Sequence, residues 1–327
     1  MSSDSLILQS LAMCNNYHYT GQYSKALNVL SQILRIYPDN VIANQMMSAT
    51  IKLAMDDEPL IVLKDICVDN GLSHIFGKNW RGESLNNCSI TIFCDENVGD
   101  ILNMLRYVKQ IKETWNCKIY LNCYAHYSVM RRLMEKVDFV DFFVKEHVQT
   151  DFHTNIFSLG TLLNGYDFVF HYPAHYEELL HTDIPNCEID FRLEPKKVES
   201  RVGLAWESKN SQKSLSLEGF RDLNIRLCSL SYNHVDCDFL EQHDFLDLLD
   251  IAALIASLDF IITADNDVLY LAAIMGKQTH AVLLEPFDLK WSIHYFGQTA
   301  WYPSVLIHSK KWQKSIKEFV VRKYSNA

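Results

Sequence analysis

The sequence predicts an α/β protein in which a small helical segment precedes two parallel-sheet domains. Two observations support this prediction. Apolar strands alternate with amphipathic helices in residues 77–190, and the alternation starts again after a polar stretch near residues 190–200, whereas residues 1–76 show only helical spacing. Strand–helix alternation is typical of a parallel sheet that is covered by helices on both faces. We therefore predict three units, which span residues 1–76, 77–190 and 191–327.

The composition is that of a globular protein with a sizeable core. The chain has 327 residues, of which 48% are hydrophobic, and its formal net charge is -10. That charge argues against a broad non-specific surface for nucleic acids. Nine cysteines without a C-x-x-C pair are typical of reduced thiols in a cytoplasmic compartment. The sequence lacks a signal-peptide pattern and an apolar run of about 20 residues, so we expect a cytoplasmic protein without a membrane segment.

The helical segment resembles part of a tetratricopeptide repeat. Apolar residues at helical steps follow a turn glycine and end at a proline, and the residues that carry the pattern are Gly21, Ala26, Leu30, Ile33 and Pro38. Residues 41–55 look like the first helix of a following repeat. Because isolated repeats are weakly stable, the segment is either a cap on the sheet domains or a docking surface for a protein partner.

The first alternation begins with a strand of β-branched residues at 89–94. The polar corner 95–100 follows, and then a helix with one apolar face starts at Ile101. Further strands are predicted at 118–123, 139–143 and 166–170, with a helix near 129–134 between the first two of these.

The second alternation holds the most informative stretch of the chain. A strand at 201–206 leads into a polar loop, 207–216, and later elements are predicted as helix 217–222, strand 227–230, helix 249–256, strand 258–263, helix 268–275, strand 279–284 and a terminal helix at 312–321. The corner Asp265-Asn266-Asp267 lies between a strand end and a helix start. There, free N–H groups and the helix dipole favour an anion, so the corner predicts a phosphate-bearing ligand.

Several common motifs are absent from the sequence. It contains no G-x-x-x-x-G-K-[ST], no G-x-G-x-x-G and no G-x-S-x-G. Asp265 and Asp267 resemble a D-x-D metal motif, but Asp and Asn are also common helix N-caps, and we favour the cap. His171 and His175 could hold a metal only on a helix, which Pro173 disfavours. We therefore expect no metal cofactor.

Two further features carry candidate chemistry. Gly99-Asp100 lies at a strand-to-helix corner, where Asp100 is either a residue that stabilises the helix start or a carboxylate that takes a proton from an acceptor hydroxyl. Lys209 and Lys213 lie in the loop after strand 201–206, where they are either solvated surface lysines or ligands of a phosphate.

These residues belong to a longer pattern. The chain resembles tetratricopeptide-containing glycosyltransferase-like proteins, which are related to the heptosyltransferases and more distantly to the O-linked N-acetylglucosamine transferases. The matching segments, in the family's order, are Trp80–Leu85, the corner ending in Gly99-Asp100, Arg106-Tyr107, Val202–Trp206, Asp250–Leu254, Leu258–Ile262, Leu271–Ala273, Gly276-Lys277, Trp291 and Trp301–Ser304.

The resemblance implies a GT-B fold and metal-independent transfer of a sugar from a nucleotide-sugar donor to a hydroxyl of a protein, a saccharide or a hydroxymethylated DNA base. It implies that Asp100 is the catalytic base. The expected donor-binding residues are Lys209, Lys213, Ser214, Asp265, Asn266, Asp267 and Tyr270, and the expected acceptor-side residues are Asn97, Gly99, Arg106 and His171.

The chain departs from the family pattern at residues 95–100, where the family has E-Q-G-x-G-D, and at two positions near the second corner. Asn266 stands where the family has a hydroxyl residue, and Tyr270 stands where it has a histidine. An alternative is therefore a catalytically degenerate binding module with the same fold. A DNA acceptor is a second alternative, for which Lys78, Arg81, Arg106 and Lys109 would form a basic cleft.

Overall fold

The computed structural model describes residues 77–324, with gaps at 95–96, 147, 157, 165–187, 197, 209–210, 224, 285–290, 292–293, 296–297, 300 and 310–311. Before residue 77 it describes 10–14, 16–17, 23–37, 43 and 46. Helix α1 (Tyr23–Ile36) buries Ala26, Leu30 and Ile33 at helical steps. Gly21, Pro38 and most of the second predicted helix lie outside the described residues, so the repeat remains a prediction.

The first domain contains a five-stranded parallel sheet with the order β1-β5-β2-β3-β4. Its strands are β1 (Lys78–Asn79), β2 (Ser89–Phe93), β3 (Lys118–Asn122), β4 (Phe142–Val144) and β5 (Phe152–Asn155). Its helices are α2 (Val98–Thr114), α3 (Tyr127–Met134) and α4 (Ser158–Asn164).

This domain differs from the prediction at residues 139–143 and 152–155, and the prediction at 166–170 stays untested. The strand predicted at 139–143 begins only at Phe142, since Phe139 and Val140 are buried in the turn before it. Strand β5 was not predicted because its residues, Phe152–Asn155, are mostly polar. It is stabilised by pairing with β1 on one side and β2 on the other. The strand predicted at 166–170 lies outside the described residues.

The second domain contains an eight-stranded sheet with the order β11-β12-β13-β10-β9-β6-β7-β8. Its strands are β6 (Val202–Ala205), β7 (Leu227–Ser229), β8 (Leu240–Glu241), β9 (Phe260–Thr263), β10 (Thr279–Val282), β11 (His294–Tyr295), β12 (Gln298–Thr299) and β13 (Tyr302–His308). Its helices are α5 (Glu218–Arg221), α6 (Leu248–Ser257), α7 (Asp267–Ile274) and α8 (Trp312–Tyr324). The strands from β13 to β8 are parallel, whereas β11 and β12 run antiparallel at one edge.

Helix α7 ends as the sequence predicts. Gly276 has a φ of 64°, in the left-handed region that favours glycine. Its N–H donates to the carbonyl of Ala273, and the N–H of Lys277 donates to that of Ala272, each over 3.0 Å. This pair of bonds is a Schellman motif, which satisfies the last carbonyls of the helix.

A single hydrophobic core joins the two domains. Helix α2 packs against α7, and α3 packs against α6, so that apolar side chains of both sheets belong to one buried cluster. A second cluster lies on the other face of the second sheet, where Phe220 of α5 packs against Trp312 of α8. The domain contact itself is therefore part of the core.

The expected polar linker is also packed into this core. Ile189 and Phe191 are buried, and the Ile189 N–H donates to the Ile274 carbonyl over 2.7 Å. The described residues between 188 and 201 form no strand or helix. The boundary between the domains therefore runs through a packed stretch without regular secondary structure.

Candidate functional site at the junction of the two domains

The corner after β9 is organised by Asn266. Its Oδ1 atom accepts hydrogen bonds from the N–H groups of Val268 and Leu269 and from the Thr263 hydroxyl, at 3.0, 3.2 and 3.0 Å. Asn266 is therefore the N-cap of α7, as favoured over a metal ligand. Two N–H groups of the first turn are used by the cap and are not available to an anion.

Asn266 also joins this corner to the loop after β6. Its Nδ2 group donates to the carbonyls of Ala205 and Glu207, at 3.2 and 2.6 Å. The Ser208 hydroxyl donates to the carbonyl of Asp265 over 3.1 Å. The structure thus brings together the two segments in which the sequence placed the donor-binding residues.

The rest of this loop folds back on itself. The Ser208 N–H donates to the Ser214 hydroxyl over 2.9 Å, and Lys213 ends a short 3-10 turn, Ser211–Lys213, with its side chain half-buried. Ser214 therefore holds the loop. Lys213 immediately precedes Ser214 in this loop, and Lys209 lies outside the described residues.

Sequence analysis missed a polar group at the same edge of the sheet. The carboxylate of Glu207 accepts hydrogen bonds from the Ser231 hydroxyl and, at 3.0 Å, from Asn233 Nδ2. Tyr232 lies between these two residues and is 51% exposed. Partial burial, together with Asp247, Asp267 and Asp250, raises the pKa of Tyr232 to about 12. Glu207 follows β6, and Ser231 and Asn233 follow β7. This placement was the signal in the sequence that could have found the group, because the ends of parallel strands meet at one edge of a sheet.

Asp100 lies in the first turn of α2, as predicted. The helix starts at Val98, and Asn97 is its N-cap by backbone conformation, without a side-chain capping bond. Asn97 Nδ2 instead donates to Asp100 Oδ2 at 3.5 Å. The half-buried carboxylate thus lies in the first turn of α2, next to the helix N-terminus.

Gly99, next to Asp100, lies against Tyr270 of the other domain. A Cβ atom added at Gly99 would lie 2.4 Å from Tyr270 Cδ2, which is closer than carbon atoms approach. Tyr270 is 6% exposed. The first turns of α2 and α7 therefore lie in contact; the predicted base is in the first of these turns, and the predicted donor corner leads into the other.

The prediction that Arg106 lies on the acceptor side requires an exposed side chain, but Arg106 is buried. Its guanidinium is 1% exposed and donates to the Trp301 carbonyl at 3.3 Å and to Asn103 Oδ1 at 2.8 Å. Its Cζ atom lies 5.0 Å and 4.9 Å from the ring centroids of Trp301 and Tyr302. The structure therefore assigns Arg106 to the contact between the domains, which also removes it from the predicted basic cleft. His171 lies outside the described residues.

Lys277, which matches the Gly-Lys of the family pattern, bonds to the end of helix α6. Its ammonium donates to the carbonyls of Leu258 and Ala256, at 2.5 and 3.3 Å, and so covers the C-terminal end of α6. Burial lowers the pKa of this ammonium. A cation at a helix C-terminus is stabilised by the dipole, so Lys277 stabilises the fold.

The described part of the chain lacks two other kinds of feature. Among those residues, no three His, Cys, Asp or Glu side chains gather as metal ligands. No helix in the described ranges combines the length and the apolar character needed to cross a bilayer.

Comparison with known proteins places this geometry in a fold. No protein-family model and no curated protein sequence matches the chain. E. coli heptosyltransferase WaaC with ADP has a TM-score of 0.50 at 11% identity, over 72% of this chain and 99% of WaaC. The iron-containing dodecameric glycosyltransferase TibC from enterotoxigenic E. coli H10407 has a TM-score of 0.49 at 14% identity, over 75% of this chain and 80% of TibC. E. coli ADP-heptose LPS heptosyltransferase II has a TM-score of 0.42 at 11% identity, over 73% of this chain and 100% of that protein.

The likeness to WaaC shows the fold. Two sheets of mainly parallel strands, covered by helices in a GT-B-like arrangement, confirm the α/β class that the sequence predicts.

Proposed function

We propose that the protein is a glycosyltransferase that moves a sugar from a nucleotide-sugar donor to a hydroxyl acceptor. The contact between Gly99 and Tyr270 carries the proposal, because it sets the first turn of α2 beside the first turn of α7. Asp100, the proposed base, lies in the first turn of α2. The proposed donor corner leads into the first turn of α7. A nucleotide-linked donor agrees with the fold shared with WaaC, a heptosyltransferase whose structure was determined with ADP.

In the proposed reaction, the carboxylate of Asp100 accepts the proton of the acceptor hydroxyl. The hydroxyl oxygen forms a bond to the anomeric carbon of the sugar. The bond between that carbon and the phosphate oxygen breaks, and the nucleoside diphosphate leaves with the electron pair. Lys213, which belongs to the loop that Ser208 joins to the corner, supplies positive charge for the leaving group. The scheme uses no metal ion, as the family resemblance implies.

Donor binding is the first test of this proposal. Isothermal titration calorimetry with ADP-, GDP- and UDP-linked sugars, in buffer with EDTA, is expected to give binding heat with at least one donor. Heat with none of them would favour a catalytically degenerate binding module. The acceptor class, whether protein, saccharide or hydroxymethylated DNA base, then follows from release of nucleoside diphosphate with each cellular fraction.

Asp100→Asn tests the chemistry. The amide keeps the shape of the side chain and cannot take the proton, so we expect release of nucleoside diphosphate to fall by about 10² to 10⁴, with donor affinity unchanged. Glu218→Gln is the matched control, because Glu218 is also an acidic residue in a first helical turn but pairs with Arg221 on the surface. Full activity of Asp100→Asn would remove Asp100 from the mechanism.

A further inference from the structure

The contact between Gly99 and Tyr270 leaves no space for a side chain at position 99. A Cβ atom there would lie 2.4, 2.6 and 3.0 Å from Cδ2, Cε2 and Cγ of the tyrosine ring. Carbon atoms in contact are separated by about 3.5–4.0 Å, so an added methyl group would require a shift of roughly 1 Å.

The ring of Tyr270 also packs against a buried tryptophan, which leaves it little freedom to make such a shift. Its centroid lies 5.2 Å from that of Trp291, which is buried and lies 6.0 Å from the ring of Tyr302. The Tyr302 hydroxyl donates to Asn103 Oδ1 over 2.5 Å. Asn103 is one turn after Gly99 on the same helix, so these aromatic side chains contact α2 at two successive turns.

The two partners of this contact adjoin the two halves of the proposed reaction site. Gly99 immediately precedes Asp100, and Tyr270 lies one turn after Asp267 on α7. Any change in the distance between Gly99 and Tyr270 therefore changes the distance between the proposed base and the donor corner.

We propose that Tyr270 is a positioning residue for Asp100, and that the side-chain-free surface of Gly99 lets its ring set the spacing between the two helix starts. The inference rests on the proposed function, since it assigns this spacing to the transfer step. A misplacement of about 1 Å can reduce a rate by roughly 10² without removing any catalytic group.

The test is a mutant cycle of Gly99→Ala, Tyr270→Leu and the double variant. Gly99→Ala is expected to lower the rate of nucleoside diphosphate release by about 10², with ADP affinity within a few-fold of wild type. Tyr270→Leu alone leaves a gap and is expected to lower the rate less. The double variant is expected to recover most of the rate, because the smaller side chain admits the new methyl group.

Gly219→Ala is the matched control. A Cβ atom there would also face an aromatic ring, Trp312 Cη2 at 3.1 Å, but on the far side of the second sheet. This variant is expected to keep the wild-type rate.

Each result has a distinct meaning. Rates in Gly99→Ala and Tyr270→Leu equal to wild type, or a double variant that is no faster than Gly99→Ala, would overturn the positioning role. If Gly99→Ala fails to fold, Tyr270→Leu and the double variant still decide, since neither is overpacked. A wild-type protein that binds no nucleotide sugar would overturn the proposed function itself, and with it the positioning role. Coupling between the two variants in urea unfolding would then show a purely structural contact.

Discussion

Tyr302 Oη donates a 2.5 Å hydrogen bond to Asn103 Oδ1, and this bond joins strand β13 of the second domain to helix α2 of the first. Asn103 Oδ1 also accepts a hydrogen bond from the Arg106 guanidinium at 2.8 Å. Within the described residues, no carboxylate forms an ion pair with Arg106. Its buried charge is instead stabilised by carbonyl oxygens and by the faces of Trp301 and Tyr302. Asn103 is thus the polar centre of the domain contact.

The first prediction compares the loss of the Asn103 side chain with the loss of the Tyr302 hydroxyl that bonds to it. Asn103→Ala removes the acceptor of two buried donors, one of them charged, and is expected to lower the free energy of unfolding by about 3 kcal/mol. Tyr302→Phe removes one donor and leaves Arg106 paired, so a loss of about 1 kcal/mol is expected. Urea denaturation at neutral pH measures both values.

Asn116→Ala is the control at an exposed position. The Asn116 side-chain amide makes only a 3.5 Å contact with Asn87. Its removal should change the free energy of unfolding by less than about 0.5 kcal/mol. Equal losses in Asn103→Ala and Tyr302→Phe would show that Arg106 does not depend on Asn103.

Much of the fold could be predicted because local pattern and tertiary environment agree. The apolar, β-branched run at 89–93 and the corner from Phe260 to Gly276 form the elements that their residue types favour. Strand β13 shows the opposite case. No strand was predicted between residue 284 and the terminal helix, but pairing of Val305–His308 with Thr279–Val282 of β10 stabilises a strand there. Such pairing is a long-range property that local sequence does not carry.

The candidate site was predictable only as two separate segments. Strand ends and helix starts located Asp100 and the Asp265–Asp267 corner. The contact of Gly99 with Tyr270 depends on how α2 and α7 pack, which no spacing in the sequence specifies. The same packing buries Arg106, so an expected surface cation became part of the core.

The second prediction concerns the two functions of Asn266. Asn266→Ala removes the helix cap and both amide bonds to the β6 loop, for a loss of about 3 kcal/mol in unfolding free energy. Asn266→Ser keeps a capping oxygen and removes only the amide bonds, so a loss of about 1–2 kcal/mol is expected.

Denaturant unfolding gives these values, and hydrogen exchange at Ser208 and Leu215 reports the loop. Because the serine variant loses the bonds to Ala205 and Glu207, its loop amides should exchange faster than those of the wild type. Unchanged exchange would mean that the loop is held by Ser208 and Ser214 alone.

The third prediction is a loss of stability in acid that originates in a buried histidine pair. His280 Nδ1 and His308 Nε2 are 2.9 Å apart on neighbouring strands β10 and β13, packed against Phe319 and near Lys323 of α8. Burial, with smaller contributions from His308 and Lys323, lowers the pKa of His280 to about 3, and burial also lowers the pKa of His308.

The folded protein therefore resists protonation at a pH where the unfolded chain, with a histidine pKa near 6.5, binds protons. The contribution of the two neutral histidines to the free energy of unfolding is complete above this unfolded-state pKa. It is lost as the pH falls below that pKa, by at most about 1.4 kcal/mol per pH unit for each histidine. Urea unfolding at pH 7.5, 6.5 and 5.5 measures this loss. The double variant His280→Phe/His308→Leu should show a shallower pH dependence, and an identical slope in both proteins would place the acid sensitivity elsewhere.

The last prediction concerns nucleic acid. With Arg106 buried, the expected basic cleft retains Lys78, Arg81 and Lys109, and Lys109 lies 4.0 Å from Glu113. At most three phosphates can be neutralised, so a plot of log affinity against log salt for duplex DNA should have a slope no steeper than about -2.7. Fluorescence anisotropy between 50 and 200 mM salt measures the slope, and Lys78→Gln/Arg81→Gln should make it shallower by roughly 2. A slope steeper than about -5 would require a basic surface elsewhere, and a DNA acceptor would then bind through that surface.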